Sequence, residues 1–277
     1  METLSVFTFT GDGGLVARDP VDDELLAADS WLVVAGRVRF LADHGHRFRT
    51  ACGSAASAVR AVRAGAAASA SAVPADLVGA MWRAVLDRLP RDGAWFPRVE
   101  LSASGELRLR LRTAPARGGP LTVWVRPPGD PRRFPHVKGP DLPVLSRLRA
   151  EAGRHGAQEA LLTSPGGWVV EGATTSLLWW EGDTLCGPPP DLPALPGVTT
   201  ARLRRRAAEL GIPVARRYRR PEDLAGHETW LVNALHGIRP VRHWAGAGSR
   251  PGPARRAASW QEWLTGQAMP LPVSPRK

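Results

Sequence analysis

The chain has 277 residues, of which 43% are hydrophobic, enough to build a sizeable core in two modest domains or one large one. Its 37 Lys and Arg against 26 Asp and Glu leave a formal charge of +11. No apolar run approaches the about 18 residues of a membrane span, and Met1 is followed by Glu2 rather than by a basic segment leading into an apolar one, so a cytoplasmic chain is expected. Cys52 and Cys186 stand far apart, which gives neither metal spacing nor a disulfide framework, and both read as small buried residues. The charge raises the question of nucleic acid. The arginines, however, run through nearly every element and acids accompany many of them, which points to an arginine-biased composition. A basic nucleic-acid-binding chain is therefore kept only as the remote alternative. The densest cluster, Arg204, Arg205 and Arg206 with Arg216, Arg217, Arg219 and Arg220, reads as a solvated helix face and the strand after it.

In chain order, alternation over 4–10 followed by Gly11-Asp12-Gly13-Gly14 predicts a hairpin returning at Leu15. Strands are expected over 30–34 and 37–41, turned by Ala35-Gly36. Asp43-His44-Gly45-His46-Arg47 leads into an Ala-rich helix over 47–62, followed by a loop or frayed helix over 63–75. His44 and His46 have no third partner nearby that would make them a metal pair, and no metal is expected. A helix over 76–89 presents Leu77, Met81, Val85 and Leu89 on one face and stops at Pro90. Strands over 95–101 and 107–113 come next; in the second, Leu107, Leu109 and Leu111 alternate with Arg108, Arg110 and Arg112, one face buried and one basic.

The Pro/Gly-rich stretch 114–120 reads as an interdomain linker. Beyond it come a strand over 121–125, a loop over 127–135 that delivers Lys138, and a helix over 143–155. Hairpins are expected over 159–171 and 176–186. The proline-rich 188–196 precedes Gly197-Val198-Thr199-Thr200, which opens a helix over 201–210. A strand over 212–218, a short helix over 221–225, strands over 229–232 and 238–241 and a helix over 257–264 complete the pattern. The last ten or so residues are expected to be flexible.

Lys138 and the terminal Lys277 are the two lysines in this chain, and every other basic side chain is arginine. A bare positive charge could have been supplied by arginine. A lysine amine, unlike a guanidinium, can lose its proton and form a Schiff base with a carbonyl. Around it, Phe134-Pro135-His136-Val137-Lys138, Glu159-Ala160-Leu161-Leu162, Gly167-Trp168-Val169-Val170-Glu171-Gly172-Ala173, Leu195-Pro196-Gly197-Val198-Thr199 and Leu231-Val232-Asn233-Ala234 follow one another in an order and spacing that resembles the class IV aminotransferases. These are the fold-type IV pyridoxal-phosphate (PLP) enzymes, which include branched-chain and D-amino-acid aminotransferases and aminodeoxychorismate lyase.

The resemblance implies an α+β fold: a small α/β N-terminal domain (1–117), a larger β-rich C-terminal pseudobarrel domain (118–266) carrying the lysine, and a flexible tail (267–277). It implies a homodimer acting on amino-acid and keto-acid substrates. It also implies that Lys138 carries PLP as a Schiff base and acts as the catalytic base, and that Glu171 faces the pyridine nitrogen. Arg47, the backbone of Val198 and Thr199, and the Asn233-Ala234 turn would bind the phosphate. Arg98 lies near where some relatives hold a substrate-carboxylate arginine but reads better as a solvated strand residue. Two positions depart from the family. Pro143 stands where branched-chain enzymes have a ring-contacting tyrosine, and Ser176 stands where an asparagine is common. Amino-group transfer is the expected reaction. Elimination of pyruvate from aminodeoxychorismate is the close alternative, suggested by Asn233-Ala234-Leu235 and Leu177-Leu178-Trp179.

Overall fold

The computed structural model describes residues 4–20, 23–55 and 73–272. The chain divides into two units: Met1–Ala116 with Val137–Pro140 and Gln267–Lys277, and Arg117–His136 with Asp141–Gly266.

In the first unit, β1 (Leu4–Phe9) and β2 (Leu15–Arg18) form the expected hairpin, closed by the Thr10 N–H donating to the Gly14 carbonyl at 3.1 Å. β3 (Leu25–Ser30) is buried from its second residue onward. Here sequence and structure differ, because the strand expected over 30–34 begins where β3 ends. The acidic Asp23-Glu24 lead-in conceals a strand whose interior is Leu26, Ala27 and Ala28, and only Val33–Val34 (β4) remains of the expected one. Ala35 and Gly36 both take positive φ (47° and 67°), the geometry of a tight hairpin turn, and lead into β5 (Arg37–Arg39).

Helix α1 (Leu41–Thr50) starts six residues before the expected 47, so His44 and Arg47 share the helix rather than lying before it and at its start. Its Gly45 lets the Trp82 ring come close, since a Cβ there would stand 3.0 Å from two ring carbons. The remainder of the expected 47–62 helix beyond 55, and most of the expected loop over 63–75, lie outside the described residues. Helix α2 (Ala75–Arg88) buries Val78, Met81, Trp82 and Val85, spaced as one helical face. β6 (Ala94–Trp95), β7 (Arg98–Ser102) and β8 (Leu107–Arg112) follow. One antiparallel sheet runs β2-β1-β8-β7-β3. A second pairs β6, β4 and β5 with Ala268–Pro270, a strand within the stretch expected as a flexible tail; 273–277 lie outside the described residues.

The second unit holds β9 (Leu121–Val125), α3 (Leu142–Arg154), β10 (Glu159–Thr163), β11 (Val169–Gly172), β12 (Ser176–Glu181) and β13 (Thr184–Gly187). These are followed by α4 (Val198–Glu209), β14 (Val214–Arg216), β15 (Thr229–Asn233), β16 (Gly237–Ala245) and α5 (Ala257–Gly266). The sheet runs β11-β10-β9-β16-β15-β12-β13-β14, and β11 pairs again with β12, so the strands from β11 round to β12 close into a barrel. β9 and β10 are parallel, which requires a crossover, and α3 is that crossover. Leu121, Leu161, Val169, Leu177, Trp179, Leu231 and Trp244 fill one core, while Leu148 and Ala152 of α3 pack on Trp124, Ala160 and Leu162. The register sets Glu171 opposite Ser176 and Ser176 opposite Val232, which aligns the ends of β11, β12 and β15.

The arginine cluster is not uniformly solvated. Arg217 and Arg219 pair with Glu181, Arg205 pairs with Glu209, Arg206 and Arg220 lie over the rings of Trp263 and Trp168, and Arg204 is half-buried against Gly187. Among the described residues no helix is long and apolar enough to cross a membrane.

Candidate active site

Lys138 was expected in the C-terminal domain but groups with the first unit, through the short segment Val137–Pro140. Its carbonyl accepts the Ala28 N–H at 2.7 Å, which pins the segment to β3. Gly139 makes this approach possible. Its φ is +130°, and a Cβ would fall 2.8 Å from the Ala27 carbonyl carbon and the Ala28 nitrogen. The amine of Lys138 is thereby held beside β3 and α1. Burial, and next the neighbouring Arg47 cation, bring it down to about 8, with Asp29 opposing and Arg98 and Arg112 assisting. The amine therefore loses its proton more readily than an ordinary lysine amine does.

Asp29, fully buried on β3, organises this neighbourhood. It accepts Nε of Arg47 on Oδ2 at 2.7 Å and Nη2 on Oδ1 at 2.9 Å, meets His44 Nδ1 at 2.8 Å, and takes the Ser30 N–H at 2.7 Å. His44 is therefore a partner of Asp29 rather than half of a metal pair, and among the described residues no cluster could hold a metal. Arg98 pairs with Glu100 at 2.6 Å. Sequence reasoning missed Asp29. The available signal was His44 and Arg47 at i and i+3, which puts both on one helix face needing a common acceptor.

Glu171, at the end of β11, is buried in the second unit. Its Oε1 accepts the Leu195 N–H at 2.9 Å and the Nη1 of Arg132. Burial pushes Glu171 up to about 7 against the pull of Arg132. Arg132 was not singled out from the sequence.

Val198, Thr199 and Thr200 open α4 and are all buried. The first N–H groups of a helix have no intrahelical acceptor and favour an anion. The Thr200 Oγ1 there is buried without a partner. Gly197 keeps the space open, since a Cβ would stand 2.6 Å from Ser176 Oγ and 3.0 Å from Thr200 Oγ1. An orphaned hydroxyl, free N–H groups and a cradle that one methyl would fill suit a phosphate group. Asn233, at the end of β15, donates to the Thr174 carbonyl at 3.4 Å and accepts the His236 N–H at 2.8 Å, which fixes the turn through Ala234. Glu159, also buried, holds Thr174 through its N–H (3.1 Å) and hydroxyl (2.7 Å). Of the candidate residues, the structure thus gathers Lys138 and Arg47 around Asp29 in one unit. In the other, it sets Glu171 opposite Ser176, beside the start of α4 and the end of β15.

The closed barrel and the anion cradle at the start of α4 belong to the second unit, and the lysine pinned to β3 belongs to the first. The family model for amino-transferase class IV matches residues 26–244, and the chain belongs to that family. It is 35% identical over 94 residues to the branched-chain-amino-acid aminotransferase of Escherichia coli K12, a match covering 34% of this chain and 30% of that protein. The matched stretch is thus under a third of that relative's length. Among solved structures, a hypothetical aminotransferase from Mycobacterium tuberculosis in its α-ketoglutarate and PMP bound form superposes with TM-score 0.74 at 20% identity, over 95% of this chain and 98% of that one. The E. coli branched-chain enzyme gives 0.69 at 19%, over 95% and 93%. The fold is therefore that of the fold-type IV aminotransferases.

Proposed function

We propose that this chain is a PLP-dependent aminotransferase that moves an amino group between an amino acid and a keto acid. The observation that carries this is Lys138: the one internal lysine of the chain, pinned to β3 and brought down to about 8. Such an amine can attack the aldehyde of the cofactor near neutral pH and later serve as a base, which an arginine could not do. PLP, when bound, supplies the electron sink for the charge that develops at the substrate Cα. Everything else is done by the chain's own groups. With PLP bound, Lys138 Nζ would be the group that takes up and returns the substrate Cα proton. Glu171, in its carboxylate form, would keep a proton on the ring nitrogen. The N–H groups of Val198 and Thr199, the Thr200 hydroxyl, the Asn233-Ala234 turn and Arg47 hold the phosphate. A homodimer in the cytoplasm is the assembly and location that the family resemblance supports.

Pro143, in place of a ring-contacting tyrosine, favours keeping a second reading open: elimination of pyruvate from aminodeoxychorismate. The discriminating experiment compares two incubations of the PLP-loaded protein. An amino donor with a keto acid should give the exchanged pair of products. Aminodeoxychorismate without any keto acid should give neither pyruvate nor 4-aminobenzoate. The reverse pattern replaces the first reading by the second.

A further inference from the structure

Arg132 precedes Lys138 by six positions but belongs to the second unit, in the loop between β9 and α3. Its side chain is 4% exposed. The guanidinium is used on every side. Nε donates to Asp130 Oδ1 at 2.9 Å, Nη2 donates to Asp130 Oδ2 and to the Pro193 carbonyl, both at 2.6 Å, and Nη1 donates to Glu171 Oε1. Asp130 thus fixes the plane of the fork, and Pro193 ties it to the segment whose Leu195 N–H reaches the same Glu171 oxygen at 2.9 Å. Both donors fall on Oε1, so the carboxylate is held in one orientation, and a lysine could not reproduce the planar fork.

We propose that Arg132, braced by Asp130, is a positioning residue that holds the Glu171 carboxylate in the one orientation suited to the ring nitrogen of the cofactor. This rests on the PLP reading above. Among the described residues, the charged groups facing Glu171 are Arg132 and Asp130. Burial raises Glu171, Arg132 opposes it, and Asp130 adds to the rise. Removing Arg132 therefore shifts Glu171 further toward its neutral form, and a neutral carboxyl no longer stabilises a charged ring nitrogen. Arg132 itself touches neither substrate nor cofactor in this scheme.

The test is a double-mutant cycle read by PLP affinity and by the pH dependence of the bound cofactor's absorbance, using wild type, Arg132→Gln, Glu171→Gln and the double variant. Arg132→Gln should weaken PLP binding about ten-fold and displace the absorbance profile along the pH axis. Arg132→Lys should recover part of both effects. In the Glu171→Gln background the Arg132 substitution should have no further effect, because Arg132 acts through Glu171. Wild-type affinity and spectrum in Arg132→Gln, or an equal loss with and without Glu171, overturns the proposal. If Arg132→Gln does not fold, Arg132→Lys carries the same cycle with a smaller expected effect. A wild-type protein that takes up no PLP overturns the functional reading itself. PLP uptake with an inert Arg132→Gln overturns only the role of Arg132.

Discussion

The guanidinium of Arg47 is forked onto the buried carboxylate of Asp29, with Nε at 2.7 Å from one oxygen and Nη2 at 2.9 Å from the other, while His44 closes on the same group at 2.8 Å. The guanidinium is thereby fixed in one plane, which suits the phosphate-binding role proposed for it. Burial alone would raise Asp29, yet Arg47 and His44 hold it far below the usual carboxylate range. Asp29→Asn leaves the cation without its partner and should cost about 3 kcal/mol, read by denaturant unfolding. Because the folded value lies below the unfolded one, the contribution of Asp29 is fully present above the ordinary carboxylate range and is lost as pH falls below it. The difference between wild type and variant should stay flat from neutral to mildly acidic pH and narrow only in strong acid.

Lys138 carries the opposite sign. Its folded value of about 8 lies below the ordinary lysine value of 10.5, so below about 8 the folded state bears the full cost of holding the ammonium in this site, and stability rises as pH climbs from 8 to 10.5. Lys138→Met should raise the melting temperature at neutral pH, with an advantage that shrinks over that window. Acylation of Lys138 in the apoprotein, followed by peptide mass spectrometry and compared with a free lysine peptide as reference, should rise with a midpoint near 8.

Gly139→Ala meets backbone rather than a movable side chain, and does so at a φ of +130°. About 3 kcal/mol of destabilisation is expected, with loss of the Ala28 to Lys138 hydrogen bond visible as faster exchange of the Ala28 amide. An unchanged exchange rate would contradict the assigned role of Gly139.

Gly197→Ala is the milder case. Its obstacles are the Ser176 and Thr200 hydroxyls, and its φ of −72° suits any residue. Stability should fall by about 1 kcal/mol, while affinity for PLP should fall more steeply, because the methyl occupies the space beside the first turn of α4. Adding Ser176→Ala should restore stability more than affinity. Equal loss of both would place the phosphate elsewhere.

The barrel strands were legible because they are short apolar runs bounded by local turn residues, and the order of motifs around Lys138 pointed to the fold. What local pattern could not give was partnership across the sequence. β3 was displaced because Asp23-Glu24 reads as solvent, yet the next turn of the chain is Leu-Leu-Ala-Ala with Asp29 buried at its end. Arg132 was invisible because in an arginine-rich chain no single arginine stands out, and its burial depends on Pro193 and Glu171, 61 and 39 positions away. The strand at Ala268–Pro270 pairs with β5 far back in the chain, a partnership that the expected flexible tail gave no sign of.

The central claim is that Lys138 is the residue to which PLP attaches. Wild-type protein and Lys138→Ala are each incubated with PLP, reduced with borohydride, digested and weighed by peptide mass. The account predicts a reduced PLP adduct on the peptide containing Lys138 in the wild type and no specific adduct in the variant. An adduct confined to Lys277, or a wild-type protein that remains unlabelled, would contradict it.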